Sequence, residues 1–346
     1  MRARRYLESL SGYSSFMNFR PIILGKQALN FVKYSVFSKG LSCYNLPITL
    51  QVEPTLRCNL KCTMCVREHF EQGEMSLESF KSIVSQLEGS LLKIHLQGLG
   101  EPFLNRDIFS MIDYASRRNI LVSVITNGTL FNDSLIDKIV ESNIFEMGIS
   151  IDATDKKSYE KIRVGANFDK LIAGVRQLSK RLRDRKKRTR VFFAVTLLKS
   201  NLYMIPEFVK LAHSVGIKRI VFQRVQTKED FISYYKEDFM KSKEFVSVDD
   251  VKRAVNAAMG LAQSFGVEIL FEERRISCVW PWRGMYITWK GDVTPCCMVI
   301  NPKTFVIGNV FKESIRKVWN SRQYKQLRFS MLKRKALPIC RGCRAF

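Results

Sequence analysis

"EPTLRCNLKCTMCVRE", residues 53–68, follows directly on a short apolar run, "ITLQV", at 48–52. Three cysteines, Cys58, Cys62 and Cys65, fall within eight positions, with only Asn59, Leu60, Lys61, Thr63 and Met64 between them. Three thiolates at this spacing can share one metal centre, but a tetrahedral zinc takes four ligands. A cluster held by three cysteines leaves one iron open to a small chelating molecule. The position of the loop matters as much as its ligands: behind a buried strand, it stands where β/α barrels build active sites, at the carboxyl ends of the strands.

Outward from this loop the pattern is strand then helix, repeated. "ITLQV" (48–52), "KIHLQ" (93–97), "LVSVIT" (121–126), "EMGISI" (146–151), "VFFAVTL" (191–197) and "RIVFQ" (219–223) are short runs rich in Val and Ile, as buried parallel strands are. Helical periodicity covers 76–88, 106–118, 132–143 and 168–182 between them. Six β–α units predict an α/β fold, a partial (β/α)6 TIM-like barrel with right-handed crossovers. Residues 1–47 form a basic flank in which "IILGKQALNFVKYSVF" reads as a helix with Lys26 and Lys33 at its polar edge, packed on the main domain. The order breaks at 225–248, one more helix spans 248–266, and a boundary near 265 separates the barrel, 48–265, from a small cysteine-rich domain, 266–346.

The bulk numbers agree with a large core: 346 residues, 46% hydrophobic and 11% aromatic. Eight of nine cysteines cluster at 58–65, 278, 296–297 and 340–343, which reads as metal sites in a reducing compartment, hence a cytoplasmic protein. The first residues lack an apolar signal segment, and no apolar run is long enough to span a membrane. A net charge of +25 favours acidic partners: an acidic electron carrier, an anionic membrane surface or a phosphorylated substrate. The densest run, "KRLRDRKKRTR" from Lys180 to Arg190, reads as a solvated helix end and loop. Without interleaved aromatics or a groove-reading motif it does not predict specific nucleic-acid binding.

CxxxCxxC after the first strand of a β/α barrel resembles the signature of radical S-adenosylmethionine (SAM) enzymes. The resemblance implies that the methionyl group of SAM chelates the open iron, and that reductive cleavage yields a 5′-deoxyadenosyl radical that abstracts substrate hydrogen. Further motifs match at successive strand ends: Gly100, Glu101 and Pro102 in "GLGEP", Thr126 and Asn127 in "TNG", Ser150 and Asp152 in "SID", and Arg163 in "KIRVGANFD". The family's pattern implies Glu101 as acceptor for the methionyl ammonium, Thr126 and Asn127 near the ribose, and Ser150 with Arg163 on the carboxylate.

Cys278, Cys296, Cys340 and Cys343, with "CVWPW", "GDVTPCC", "IGNV" and the terminal "CRGC", resemble the SPASM/twitch extension, which implies one auxiliary 4Fe–4S cluster. Four cysteines including a CxxC also form a zinc-ribbon pattern, but the first stands far from the last pair. Trp280, Trp282 and Trp319 read as core, Cys43 and the three histidines as incidental. The layout resembles twitch-type aminocyclitol dehydrogenases, so the expectation is a monomeric radical SAM oxidoreductase acting on a small molecule, reduced by an acidic flavodoxin or ferredoxin. Other readings are a modifier of ribosomal peptides, for whose leader-binding domain the 47 flanking residues look short, and an epimerase with Cys297 as hydrogen donor. From another class, a non-enzymatic iron–sulfur or zinc scaffold binding nucleic acid fits the charge.

Overall fold

The computed structural model describes residues 20–37, 40–227, 233–271, 278–297, 305–335, 337–341 and 343. The start of the basic flank and part of the 225–248 segment lie outside them.

The chain begins with helix α1 (Pro21–Phe37) and then alternates: β1 (Thr49–Val52), α2 (Leu77–Ser85), β2 (Lys93–Leu96), α3 (Ile108–Ser116), β3 (Leu121–Thr126), α4 (Asp133–Glu141), β4 (Ile144–Ser150). It continues with α5 (Lys156–Ile162), α6 (Phe168–Asp184), β5 (Arg190–Leu197), α7 (Ile205–Ser214), β6 (Arg219–Arg224), α8 (Glu237–Lys241), α9 (Val248–Ser264) and β7 (Glu268–Phe271). The carboxyl-terminal part adds α10 (Trp280–Arg283), β8 (Gly284–Ile287), β9 (Asp292–Thr294), β10 (Gly308–Asn309), α11 (Ile315–Trp319) and α12 (Arg322–Leu332). Ser76, Asn132, Asp155, Asn167 and Ser247 each accept a backbone N–H in the first turn of the helix they precede, which fixes those starts.

The six expected strands are all present and parallel. The sheet is larger than expected: β7 extends it in parallel beyond β6, and β8, β9 and β10 extend it beyond β1, giving the order β10-β9-β8-β1-β2-β3-β4-β5-β6-β7. The barrel sheet therefore runs past residue 265. Alternate side chains divide inside from outside. Leu50, Val52, Ile94 and Leu96 pack in the apolar core with Phe80, Ile83 and Ile112 from the helices. Their neighbours Gln51, His95, Ser123 and Glu146 form the opposite face, in register across β1 to β4. The lumen is thus polar, with Glu146 holding Lys93 and Arg219 near its floor.

The floor is closed by α1, as expected of the flank. Gln27 donates through Nε2 to the carbonyls of Leu91 (2.7 Å) and Asn119 (2.9 Å). Asn30 bonds Leu46 and Ser90. Phe31 and Tyr34 cover Ile48, Leu92, Leu121 and Phe145, at the amino ends of the first four strands.

The carboxyl-terminal part is built around Trp319, Tyr324 and Arg328, each fully buried. Trp319 meets Tyr324 edge-on at 4.9 Å and donates through Nε1 to Asn45 O at 2.8 Å. Arg328 lies over both rings and donates to the carbonyls of Trp319 (2.7 Å), Pro281 (2.8 Å) and Leu41 (3.1 Å). The guanidinium thereby ties α10, α11 and the segment before β1 together. Trp282 is buried as expected, and Trp280 half-buried. Replacing Trp319 by Ala should cost about 3–5 kcal/mol, the range for a large aromatic lost from a packed core. Denaturant unfolding of Trp319→Ala beside Phe329→Ala, which removes a ring that is 50% exposed, checks this; the exposed site should change stability far less.

Candidate functional site

Behind β1 the chain crosses the mouth of the barrel and carries Cys58, Cys62 and Cys65, all half-buried. The loop is held from three sides. Beneath it, Gly100 presses on its backbone: a Cβ there would lie 2.3 Å from Thr55 O and 2.7 Å from Arg57 O, and Glu101 N donates to Arg57 O at 2.8 Å. On one flank, Asn127 Nδ2 donates to Asn59 Oδ1 at 2.9 Å and points at Cys58 Sγ from 3.8 Å. On the other, Lys61 N and Thr63 N donate to Val164 O and Ile162 O, each at 2.9 Å.

Arg163 follows α5. Its Nε donates to Asp152 Oδ2 at 2.7 Å, and its Nη1 stands 4.0 Å from Cys62 Sγ. Burial works against that charge, yet Asp152 and Cys62 hold the guanidinium above its ordinary value. Asp152 is fully buried and accepts Thr196 N through Oδ1 at 2.7 Å, so the guanidinium is fixed to the ends of β4 and β5. Ser150, half-buried, ends β4 beside it. Burial pushes the Cys62 thiol up to about 11, partly offset by Arg163, and raises Cys65 as well. Thiolates form here when a cation replaces the protons. Three sulfurs in one loop, with an amide and a guanidinium aimed at two of them, suit an anionic three-cysteine cluster.

Glu101, expected as acceptor for the methionyl ammonium, has hydrogen-bond partners within the chain. Its carboxylate, 2% exposed, accepts from Thr126 Oγ1 (2.7 Å), Asn127 N (2.7 Å) and Phe103 N (3.2 Å). It braces the β2 loop against the β3 loop through Thr126 and Asn127. Pro102 opens the short turn that follows. Burial pushes the Glu101 carboxyl up to about 7 against these hydrogen bonds.

Of two further lumen residues, Glu53 was not singled out by the sequence reading and His95 was read as incidental. Glu53, one position beyond β1, accepts Tyr286 Oη at 2.7 Å, Tyr286 lying on β8. Burial lifts its carboxyl to about 7 and keeps the Tyr286 phenol well above its ordinary value. His95 faces the same lumen from β2. Burial, with Lys93 and Arg283 nearby, lowers its pKa well below the ordinary value, so the imidazole is neutral. A lone Glu at a strand end and a lone His in an apolar run carry no sequence signal. His69 and His213 lie against Tyr234 and Phe265.

In the second set, burial raises the Cys278 thiol to about 12, with further upward pushes from Cys343, Cys340 and Cys297. Cys297 also acts on Tyr286, and Cys296 on Tyr324. Cys297 thus stands within electrostatic reach of Cys278. The adjacent Cys296 and Cys297 follow β9, so they reach different neighbours.

Residues 52–212 match the model of the radical SAM superfamily, and residues 278–344 the SPASM model, an iron–sulfur cluster-binding domain. The chain is 26% identical to the antilisterial bacteriocin subtilosin biosynthesis protein AlbA of Bacillus subtilis (strain 168), over 88% of this chain and 66% of that protein. It is 24% identical to the tungsten-containing aldehyde ferredoxin oxidoreductase cofactor-modifying protein of Pyrococcus furiosus, over 85% of this chain and 86% of that one. Among solved structures it resembles SuiB of Streptococcus suis bound to S-adenosylmethionine, with a TM-score of 0.69, 16% identity, and coverage of 86% of this chain and 71% of that chain.

Gly100→Ala should displace the thiol loop and cut turnover about 100-fold, the scale of a 1 Å misplacement. Gly25→Ala, with nothing within 4 Å of the new Cβ, should leave it unchanged; iron content and SAM cleavage by the two variants check this. Glu53 also sets a pH dependence. Its folded carboxyl titrates at about 7 against 4.5, so the folded chain binds the proton more tightly than the unfolded one. The stabilisation is complete below about pH 4.5 and is lost as pH rises through about 7. Thermal midpoints from pH 5 to 8 should therefore fall less steeply in Glu53→Gln than in the unmodified chain, with the Glu101 share remaining.

Proposed function

Because the chain belongs to the radical SAM superfamily and carries a SPASM domain, we propose that it modifies a peptide by radical chemistry. It is an enzyme that uses SAM and 4Fe–4S clusters, a SAM-binding one and an auxiliary one. In this reading Cys58, Cys62 and Cys65 hold the first cluster, which when bound supplies the electron for reductive cleavage of SAM. Arg163, fixed by Asp152, binds the methionyl carboxylate together with Ser150. Gly100 and Pro102 shape the floor beneath SAM, Glu101 fixes the β3 loop, and Thr126 and Asn127 face the ribose. Cys278, Cys296, Cys340 and Cys343 hold the auxiliary cluster, with Cys297 beside Cys296. The barrel to residue 265 carries the SAM chemistry, and 266–346 carries the auxiliary cluster, apart from the edge strand β7.

The observation that carries the radical reading is the fastening of the thiol loop to the ends of β3 and β4 through Asn127 and Arg163. The peptide substrate is supported by the alignment with a bacteriocin biosynthesis protein, which runs over 88% of this chain. SuiB, of like fold, has also been solved with its precursor peptide SuiA. Helix α1 packs its inner face on the barrel floor. The second reading is the small-molecule oxidation expected from the sequence. The alignment with a cofactor-modifying protein, over 86% of that protein, favours it.

In either case the electron donor, an acidic flavodoxin or ferredoxin, docks near the barrel mouth, where the thiol loop lies. The reading places the enzyme in the cytoplasm, where its thiols stay reduced.

Anaerobically reconstituted enzyme, with SAM and reductant, should release 5′-deoxyadenosine and change the mass of a short peptide encoded beside its gene. Unchanged peptide, with a polyol or cofactor precursor oxidised instead, would move the assignment to the second reading. Replacing Cys58, Cys62 and Cys65 together by Ala should abolish 5′-deoxyadenosine; persistent cleavage would remove both.

A further inference from the structure

Helix α1 has two apolar faces and uses one. The inner face, with Phe31 and Tyr34, closes the barrel floor. On the outer face Ile22, Leu29, Val32 and Val36 are 74%, 56%, 52% and 66% exposed. Their spacing of seven, three and four residues puts them on one arc of the helix, with Gly25 between them and nothing within 4 Å of its Cβ position. Lys26 and Lys33 border this arc on one side.

The turns that feed the strands lie at the same end of the barrel as α1, because every helix-to-strand turn lies at the amino end of a parallel barrel. One of them is the densest basic run of the chain. Much of that run is neutralised, with Arg181, Arg185 and Lys187 paired to Asp133, Asp137 and Glu141. Among the described residues no carboxylate pairs with Lys186 or Arg188 before β5, Lys218 before β6, or Arg20, Lys26 and Lys33 on and before α1. One end of the molecule therefore presents an apolar stripe set among unpaired cations.

We propose that this face docks on an anionic lipid bilayer, with α1 lying in the plane of the headgroups. A helix that crosses the barrel floor with an apolar arc outward and lysines at its border has the arrangement of an interfacial helix. The unpaired cations supply the second, electrostatic attraction that stable binding needs. No helix of the described residues is long and apolar enough to cross a membrane, so the contact is peripheral. An acidic electron carrier fits this face poorly. The thiol loop is at the opposite end of the strands, and β5, eight residues long, alone separates the two ends by roughly 26 Å. Docked through α1, the enzyme turns its mouth away from the bilayer. The proposal rests on this geometry and not on the substrate assignment.

Sedimentation of the full-length, cluster-loaded enzyme with extruded vesicles tests it. The enzyme should bind phosphatidylcholine vesicles that contain phosphatidylglycerol, bind pure phosphatidylcholine vesicles far less, and be released by salt. Leu29→Glu with Val32→Glu, and separately Lys186→Glu with Arg188→Glu, should each weaken binding at least about tenfold. Both should cleave SAM with a chemical reductant at the unmodified rate, showing that the fold is intact. Equal binding to neutral vesicles, no binding, or unchanged binding by the stripe variant would overturn the proposal. So would self-association, or binding of an acidic carrier protein, that these variants abolish in a chain that ignores vesicles.

Discussion

The pairing of β8 with β1 is the contact on which both cysteine sets depend. It runs in parallel register from Thr49 opposite Gly284 to Val52 opposite Ile287. The strands meet so closely that a Cβ on Gly284 would lie 2.2 Å from Thr49 O. At the end of the pairing the Tyr286 hydroxyl closes on Glu53. Five residues beyond Glu53 comes the first thiol of one set, and β9, the next strand after β8, delivers Cys296 and Cys297 of the other. The first set and the Cys296–Cys297 pair thus grow from strands with only β8 between them, and their relative placement is fixed by backbone hydrogen bonds instead of by a flexible linker.

The mouth of the barrel is organised by buried charge, and each charge has a defined partner. Asp152 is saturated by Arg163 and Thr196 N, Glu101 by Thr126, Asn127 and Phe103. Such groups cost much to leave unpaired in a low-dielectric interior. Each therefore holds its loop in one position, which a site that must align several sulfurs and a cosubstrate requires. Arg328 does the same for the carboxyl-terminal part with carbonyl acceptors alone.

Much of this was legible in the sequence because parallel strands buried on both faces read as continuous apolar runs, and six of them stood clear. The thiol loop was legible by spacing. Strand β7 was harder to place: Glu268 and Leu270 are exposed at the sheet edge, so it resembles the irregular segment around it. Glu101 was found, but its bonds to Thr126, Asn127 and Phe103 were not, because residue identity does not show which way a side chain turns. Glu53 was not singled out, and His95 was read as incidental, for the same reason: they are lumen residues only once the strands alternate. Adjacent Cys296 and Cys297 are equivalent as letters, and only the chain's path after β9 gives them different surroundings.

The bond between Tyr286 and Glu53 spans 233 residues of sequence. On the ribosome β1 therefore emerges long before the strand that will cover its free edge. For most of translation the thiol loop hangs from a strand with an unpaired row of amides and carbonyls, a form open to wrong pairing. Sheet closure is deferred to the last part of synthesis, and the contact is of the slow, long-range kind. Until the carboxyl-terminal strands arrive, the wall that β8 and β9 form beside the first loop is missing.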